Sequence, residues 1–366
     1  MADERSATEP RVTLADVARS ADTSESTASR ALKDDPRIGE ATRAAVRAAA
    51  VKLGYTPNAA ARSLRSRRTH ILGLLLDDLA DPVHGQVAAG FEEAAAGLGY
   101  AVFIMTGLRD STREQRALSA FVEHRADGIA LASCVSPPAE VFAQVSRERI
   151  VLVKPEYPRL ADGDGPPQRG VLRSDDAAGV AATVGHLVEQ GYRRIAYVGA
   201  GGGASDLIRR SAAAGMLSSL VGERLRVYDA GLAGWRDPSI VADSLAVDRP
   251  DAVICYDDKL ALALIDALRM THLNVPSDIA VAGFDGIAQA GRSHPRLTTV
   301  AVPSVDLGRR AVEMLVASAR DGSMPASEVL PVRLIVGEST PARDIVSTAP
   351  RPPDAVVGTG SSAKAT

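Results

Sequence analysis

The chain has 366 residues, more than one ordinary hydrophobic core holds, so two or more folding units are expected. Hydrophobic residues make up 46% and aromatics only 4%, so Ala, Val and Leu must fill the cores. The net charge of −3 conceals a split: residues 1–70 hold 13 Lys/Arg against 9 Asp/Glu, and the remainder holds 29 against 36. A basic head on an acidic body implies that only the head meets a polyanion.

Cys134 and Cys255 lie far apart and form no CxxC or Cys/His cluster. That excludes a disulfide scaffold and a cysteine-based structural zinc, and fits a reducing compartment. The start, MADERSATEP, is charged and short of apolar residues, unlike a signal peptide. No run approaches the roughly 18 uninterrupted apolar residues of a membrane-spanning helix. A cytoplasmic location is expected, with no metal and no cofactor implied.

Residues 1–11 read as a frayed tail. Thr13 precedes an apolar-periodic run, Leu14, Val17, Ala18 and Ala21, with Asp16 placed to complete a capping box. Asp22-Thr23-Ser24 makes a tight polar break, and Ser24 can cap a second short helix, Glu25 to Leu32, with Ala28, Ala31 and Leu32 inward. A third helix is predicted over Glu40 to Leu53, with Ala45, Val46, Ala49 and Leu53 on one side and Gly54 ending it.

Two short helices across a tight turn, with a supporting third, make a helix-turn-helix unit. The second helix would enter the major groove by its N-terminal end, which carries Glu25, Ser26, Ser29 and Arg30. Arginine can fork onto guanine O6/N7, and glutamate can accept from cytosine N4. Thr13, Ser24, Ser29 and Lys33 are candidates for phosphate and backbone contacts, which position without specifying. A solvated three-helix bundle with ordinary surface polars would give the same pattern.

The stretch VTLADVARSADTSESTASRAL…RIGEATRAAVRAAAVKLGYTPNAAARSL resembles the DNA-binding head of the LacI/GalR transcriptional regulators. The resemblance implies a hinge helix after the head, here Asn58 to Ser66. In the family a hinge leucine wedges with its twin into the minor groove of the operator, and Leu64 matches it, with Ala61 as the neighbouring small residue. Such a wedge kinks DNA most readily at a deformable step. Arg62, Arg65, Arg67 and Arg68 suit the flanking phosphates.

From Ile71 the pattern changes to apolar runs alternating with helical stretches. ILGLLL, AVFIM, GIALA and IVLV read as strands, with helices at about His84 to Leu98 and Thr112 to His124 between them. A second series follows: helix Ala177–Gln190, strand Arg194–Val198, helix Asp206–Leu220, strand Leu225–Tyr228, a helix near Ile240, strand Ala252–Cys255, helix Lys259–Met270 and strand Ile279–Ala282. Such alternation means parallel sheets covered on both faces, with ligands at the carboxyl ends of the strands. The tail from 343 to 366 is Pro-, Ser- and Gly-rich and reads as disordered.

The family resemblance continues through DGIALAS, GHLVEQGYRRIAYVGA, RPDAVICYDDKLALALIDAL, VPSDIAVAGFDG and PRLTTVAVPSVDLGRRAVEMLV, covering roughly residues 12 to 342. It implies an all-α helix-turn-helix head (12–57), a hinge (58–69), and an α/β, two-lobed, periplasmic-binding-protein-like body (70–342) of two doubly wound parallel sheets. Within the body, it implies a first lobe of about 70–170 plus a segment near 303–325, and a second of about 171–300 plus a last strand near 330–340.

It further implies a repressor that binds a pseudo-palindromic operator as a homodimer and answers to a small-molecule effector, a sugar or a sugar derivative, between the lobes. The matching effector positions are Asp77, Asp78, Ser205, Arg209, Trp235, Asp257 and Asp285. Carboxylates that accept from neighbouring hydroxyls suit a polyol, and an aromatic can stack on a sugar face.

Departures from the family pattern bear on the effector. Asp81-Pro82-Val83-His84 stands where an aromatic platform is usual, Ala213 where an aromatic is usual, Val302 where a polar ligand residue is frequent, and Lys154 in place of the usual Asp after the fourth body strand. Lys154, Arg209 and His84 together favour an anionic or smaller effector.

One rival reading is enzymatic. Gly199-Ala-Gly201-Gly-Gly-Ala204 follows a strand and precedes a helix, imitating a dinucleotide-binding loop, so an NAD-dependent oxidoreductase is the alternative. Such a loop needs an acid about twenty residues on, and Asp229 comes later than that. A transport-type binding protein is opposed by the DNA-reading head and by the missing export signal.

Overall fold

The computed structural model describes residues 12–56, 68–136, 150–155, 170–231, 238–322 and 326–343. The chain divides into two compact units, residues 1–69 and 70–366.

The first unit is a bundle of α1 (Leu14–Ser20), α2 (Glu25–Ala31) and α3 (Glu40–Leu53). Thr13 and Asp16 form a reciprocal capping box: the Asp16 amide donates to the Thr13 hydroxyl at 3.4 Å, and the Thr13 amide donates to Asp16 Oδ2 at 2.9 Å. Ser24 caps α2 by accepting from the Thr27 amide at 3.2 Å. Asp22 turns the chain between the two helices with a left-handed φ of 50°. Gly54 ends α3 at φ 63°, a conformation with no Cβ penalty for glycine.

Val17, Ala18, Ala28, Ala31, Val46, Ala49 and Ala50 make the core, with Leu14, Leu32, Ile38, Leu53 and Tyr55 packed on it. Small alanines let three short helices approach closely. Ala45, expected inward, is exposed, because the buried stripe of α3 turns through Val46, Ala49 and Ala50 instead.

The second unit holds two parallel sheets. Its elements are β1 (Ile71–Leu76), α4 (Pro82–Gly97), β2 (Ala101–Thr106), α5 (Ser111–Glu123), β3 (Gly128–Ala132), β4 (Ile150–Val153), β5 (Val171–Ser174), α6 (Asp176–Glu189), β6 (Ile195–Gly199), α7 (Ala204–Val221), β7 (Arg226–Asp229), α8 (Pro238–Asp248), β8 (Ala252–Cys255), α9 (Asp258–Met270), β9 (Ala280–Ala282), β10 (Thr299–Ala301), α10 (Ser304–Asp321), β11 (Glu328–Leu330) and β12 (Arg333–Ile335).

The first lobe's sheet runs β11-β5-β4-β3-β1-β2, and the second lobe's runs β7-β6-β8-β9, both parallel. A short antiparallel pair, β10 with β12, packs near α6.

Side-chain alternation along each strand sorts the two faces. Leu72, Leu74 and Leu76 of β1 meet Phe91 and Ala95 of α4 and Leu307 and Ala311 of α10, whereas Leu75 meets Phe121 of α5. In the second lobe Tyr197 and Ile254 face Leu187 of α6 and Leu217 of α7, whereas Val198, Val253 and Val281 face Leu245 of α8 and Leu264 of α9. Aspartates cap four of the body's helices: Asp81, Asp110, Asp175 and Asp257 each accept a backbone amide in the first turn.

The border between the lobes falls later than expected. VLRS (171–174) is a strand of the first sheet, beside β4, and Glu328–Leu330 pairs with it at the edge of the same sheet. Both strands are too short for periodicity to reveal. The chain therefore passes between lobes at 174–176, 301–304 and 330–333.

Candidate functional site

In the head, Glu25, Ser26, Arg30 and Lys33 are exposed and Ser29 is half-buried, so α2 and the residues just past it offer polar side chains outward. The Ser24 hydroxyl is partly used within the cap and lies 3.0 Å from both the Ser26 and Thr27 hydroxyls. Thr13 also donates to Asp16 Oδ2 at 2.7 Å, so its side chain is committed to the α1 cap. Asn58, Ala61, Arg62 and Leu64 lie outside the described residues, as does Trp235 of the effector set.

In the body, Lys154, Arg209, Asp257 and Asp285 converge where strands of both sheets end. Arg209 of α7 is 2% exposed. Its Nε donates to Asp176 Oδ2 at 2.9 Å, its Nη1 donates to the Tyr256 carbonyl, and its Nη2 lies 3.6 Å from Asp285 Oδ1. The guanidinium sits 3.7 Å from the Phe284 ring centroid and 4.8 Å from that of Tyr256. Ser174 donates to the other oxygen of Asp176 at 2.5 Å. From the first lobe, Lys154 brings its Nζ to 4.0 Å from Asp285 Oδ1.

These contacts decide the charge states. Burial pushes the Asp176 carboxyl up, but Arg209 and Lys154 with the Ser174 bond outweigh it, and the net shift is downward. Asp285 is pushed up to about 6 because burial exceeds the pull of Lys154 and Arg209, with Asp257 and Asp176 adding to the rise. Asp258, at the start of α9, is pushed up to about 7, chiefly by burial. It accepts from the Thr299 hydroxyl at 2.6 Å and the Ile287 amide at 2.9 Å.

The remaining candidates have structural occupations. Asp257 caps α9 by accepting from the Leu260 amide at 2.7 Å. Asp77 accepts from the Arg109 amide at 2.6 Å, and burial raises its carboxyl. Asp78 accepts from the Ala80 amide at 2.9 Å. The His84 ring is buried with Nδ1 3.0 Å from the Asp78 carbonyl oxygen, so it closes the loop after β1. Ser205 is buried at the start of α7.

The expectation that Lys154, Arg209 and His84 form a cationic trio loses its basis here. Arg209 is matched by Asp176 and Asp285, Lys154 faces Asp285, and His84 is held by backbone. Asp176 went unnoticed in the sequence, and Asp258 stood out only as an acid at a helix start; their signal was the Asp-Asp pair at a strand-to-helix junction, in RSDDAAG and CYDDKLA.

The glycine loop after β6 is not arranged for a dinucleotide. Asp206 of α7 takes the loop amides itself, accepting from Ala200 at 3.4 Å and Gly202 at 3.2 Å, and also from the Tyr197 hydroxyl at 2.9 Å. A carboxylate stands where a pyrophosphate would need bare N–H groups.

The two raised carboxyls make stability depend on pH. Each binds its proton more tightly folded than unfolded, so the contribution is complete below about pH 4 and is lost as pH rises through 6 and 7. The melting temperature of the second unit is expected to fall by roughly 5–10 °C from pH 5 to pH 8. Asp258→Asn should remove a large part of that slope in calorimetry; an unchanged slope would exclude Asp258 as its source.

A capped helix-turn-helix head and a two-lobed body with charged residues converging between its sheets define a class: a DNA-binding regulator with a periplasmic-binding-protein-like sensor. Residues 13–58 match the model of bacterial regulatory proteins of the lacI family, and residues 184–340 match the periplasmic binding protein-like domain. The transcriptional regulator GalR of Salmonella typhimurium (strain LT2) is 29% identical over 325 residues, covering 87% of this chain and 92% of GalR.

Among solved structures, the regulator CelR in complex with cellobiose matches with TM-score 0.66 and 26% identity, covering 90% of this chain and all of that one. The lac repressor dimer bound to operator and the anti-inducer ONPF matches with TM-score 0.80 at 22% identity, over 91% of this chain and all of that one, which shows the shared fold. The chain joins a lacI-family DNA-binding head to a periplasmic-binding-protein-like body and is similar over most of its length to LacI/GalR transcriptional regulators, so it is a DNA-binding regulator, not an enzyme.

Proposed function

We propose that this regulator is a cytoplasmic repressor that binds a pseudo-palindromic operator as a homodimer and is controlled by a small molecule held between the lobes of its body. The observation that carries the reading is the exposure of Glu25 and Ser26 on the capped first turn of α2 and of Arg30 on its last turn, with Ser29 half-buried between them. Arg30 and Glu25 read base edges, Ser26 assists them, and Ser29 and Lys33 hold phosphates. Thr13 and Ser24 contribute chiefly by fixing the helix starts that aim those side chains.

The hinge, Asn58 to Ser66, adds the Leu64 wedge beside Ala61, while Arg62 supplies charge to the phosphates. This division assigns 12–57 to DNA reading, 58–69 to the hinge and 70–342 to sensing and dimerisation. The lac repressor relative is a dimer on operator and the CelR relative holds cellobiose, which supports both parts of the reading.

The effector is a hydroxyl-rich sugar or sugar derivative. With Arg209 internally paired, the cleft's remaining groups, Asp77, Asp257, Asp285 and Lys154, suit alternating donors and acceptors better than a free anion. Trp235 supplies a stacking face. Effector occupancy shifts the balance between lobe arrangements, and the hinge transmits it.

The head assignment predicts a split between two neighbours. On a selected operator, Arg30→Ala should relax preference at one base pair of each half-site, costing about 1–3 kcal/mol on the preferred sequence. Lys33→Ala should weaken all sequences alike and reduce the salt slope by about one. Quantitative binding across single-base operator variants reads both; uniform loss from Arg30→Ala would remove its base-reading role.

A further inference from the structure

Among the described residues two ion pairs bridge the lobes, and they differ in character. Lys259 at the start of α9 meets Asp81, the cap of α4, at the rim, where the lysine side chain is 46% exposed. Lys154, just past the end of β4 in the first sheet, meets Asp285, just past β9 in the second lobe, with both side chains nearly sealed at 11% and 12% exposure. A rim pair is screened by water and salt and contributes little, whereas a sealed pair is screened far less.

Both inner partners also sit in left-handed backbone, Lys154 at φ 45° and Asp285 at φ 108°. Such conformations cost a non-glycine residue free energy; nine others among the described residues adopt them, mostly at turns and helix ends. Here two of them face each other across the cleft. On the second-lobe side Asp285 already shares Arg209 with Asp176, and Asp257 lies close enough to raise the Asp285 carboxyl. Without Lys154, one guanidinium would face three carboxylates.

We propose that Lys154 is a tethered cation built into the effector cleft: its ammonium draws Asp285 across the gap and holds the lobes together with no small molecule bound. The inference rests on the effector-cleft reading and sharpens its chemistry. A ligand must fit around the Lys154–Asp285 pair by offering an acceptor to the ammonium and a donor to the carboxylate, as vicinal hydroxyls do. Ligands carrying an amine are excluded, because the chain already supplies the cation. Removing the side chain inverts this preference and opens a place for a small primary ammonium ion.

The test uses the full chain and two variants, Lys154→Ala and Lys154→Met, the latter filling similar space without charge. The readout is thermal melting of the second unit in propylammonium chloride or tetramethylammonium chloride at equal ionic strength. Both variants should melt roughly 3–8 °C below the parent chain. Propylammonium, and not tetramethylammonium, should raise the Lys154→Ala transition saturably, while leaving the parent and Lys154→Met unchanged.

Equal melting of Lys154→Met and the parent, or no specific response of Lys154→Ala to propylammonium, would overturn the tether. A parallel arm with neutral mono- and disaccharides on the parent chain separates the two claims. Failure of every sugar there counts against the effector reading alone, and the amine response still decides the role of Lys154.

Discussion

Gly308→Ala is expected to lower the melting temperature of the second unit by roughly 10 °C or more. The reason lies in how α4 and α10 pack. A Cβ at Gly308 would stand 2.1 Å from the Val87 carbonyl oxygen and 2.7 Å from the Phe91 amide, and a Cβ at Gly90 would stand 2.0 Å from the Val305 carbonyl oxygen. Each glycine thus receives the backbone of the opposite helix. Backbone cannot swing aside as a flexible side chain can, so the helices must separate along their whole contact.

That contact includes Phe91, Leu307 and Ala311 against β1, all fully buried. A cost of about 3–5 kcal/mol follows, at the high end for overpacking, with roughly 2–4 °C lost per kcal/mol in a unit of this size. The effect should reach the cleft as well, because α4 carries Asp81 at its cap and sends Val83 into the second lobe's core. Calorimetry on the full chain measures it; a shift within 2 °C would mean the helix crossing is looser than described.

Arg209→Met is expected to cost about 3–5 kcal/mol, because it strands buried charge without removing it. Asp176 would keep only Ser174 and the more distant Lys154, and Asp285 would keep Lys154 alone. Both carboxyls would then shift upward, so the variant should lose stability most steeply as pH rises above 5. Adding Asp176→Asn to the same chain removes one of the stranded charges and should restore a substantial part of the loss. Denaturant unfolding of Arg209→Met, Asp176→Asn and the double variant at pH 5 and pH 8 reads this coupling, and strictly additive losses would show that Arg209 and Asp176 do not act as a pair.

The sequence was most informative where the causes are local. The Thr13–Asp16 box, the Ser24 cap and the Gly54 stop depend on residues within a turn of one another, and the head's three helices follow from them. The alternation of apolar runs with amphipathic stretches marked both sheets, with helix ends within a few residues of those observed. What local pattern could not supply was pairing across distance. Arg209 and Asp176 are 33 positions apart, and nothing near Arg209 shows that its charge is spent internally.

Lys154 was recognisable as an unusual residue after a strand, but its partner, Asp285, comes from another lobe. The strands β5 and β11 escaped notice because edge and near-edge strands of three or four residues need no periodicity of their own; β5 borrows its register from β4 and β11 from β5. The Gly90–Gly308 crossing was invisible for a similar reason. Glycine in a helix reads as a defect until the opposing backbone is in place.

The cleft illustrates how the structure changes a functional argument without changing its outline. Counting residue types gave three potential cations and suggested an anion as ligand. Geometry assigns one to a buried ion pair, one to a pair across the gap and one to a backbone contact. The ligand chemistry proposed on that basis is that of a polyol.

The central claim is that the outward face of α2 and the hinge beyond it read a symmetric DNA site. Selection of bound duplexes from a random-sequence pool by the full chain tests this most directly. The account predicts an enriched inverted repeat, with the strongest preferences in each half-site where Glu25, Ser26 and Arg30 fall and a deformable pyrimidine–purine step at the centre. Enrichment of a single asymmetric half-site, or no enrichment over bulk duplex, would contradict it.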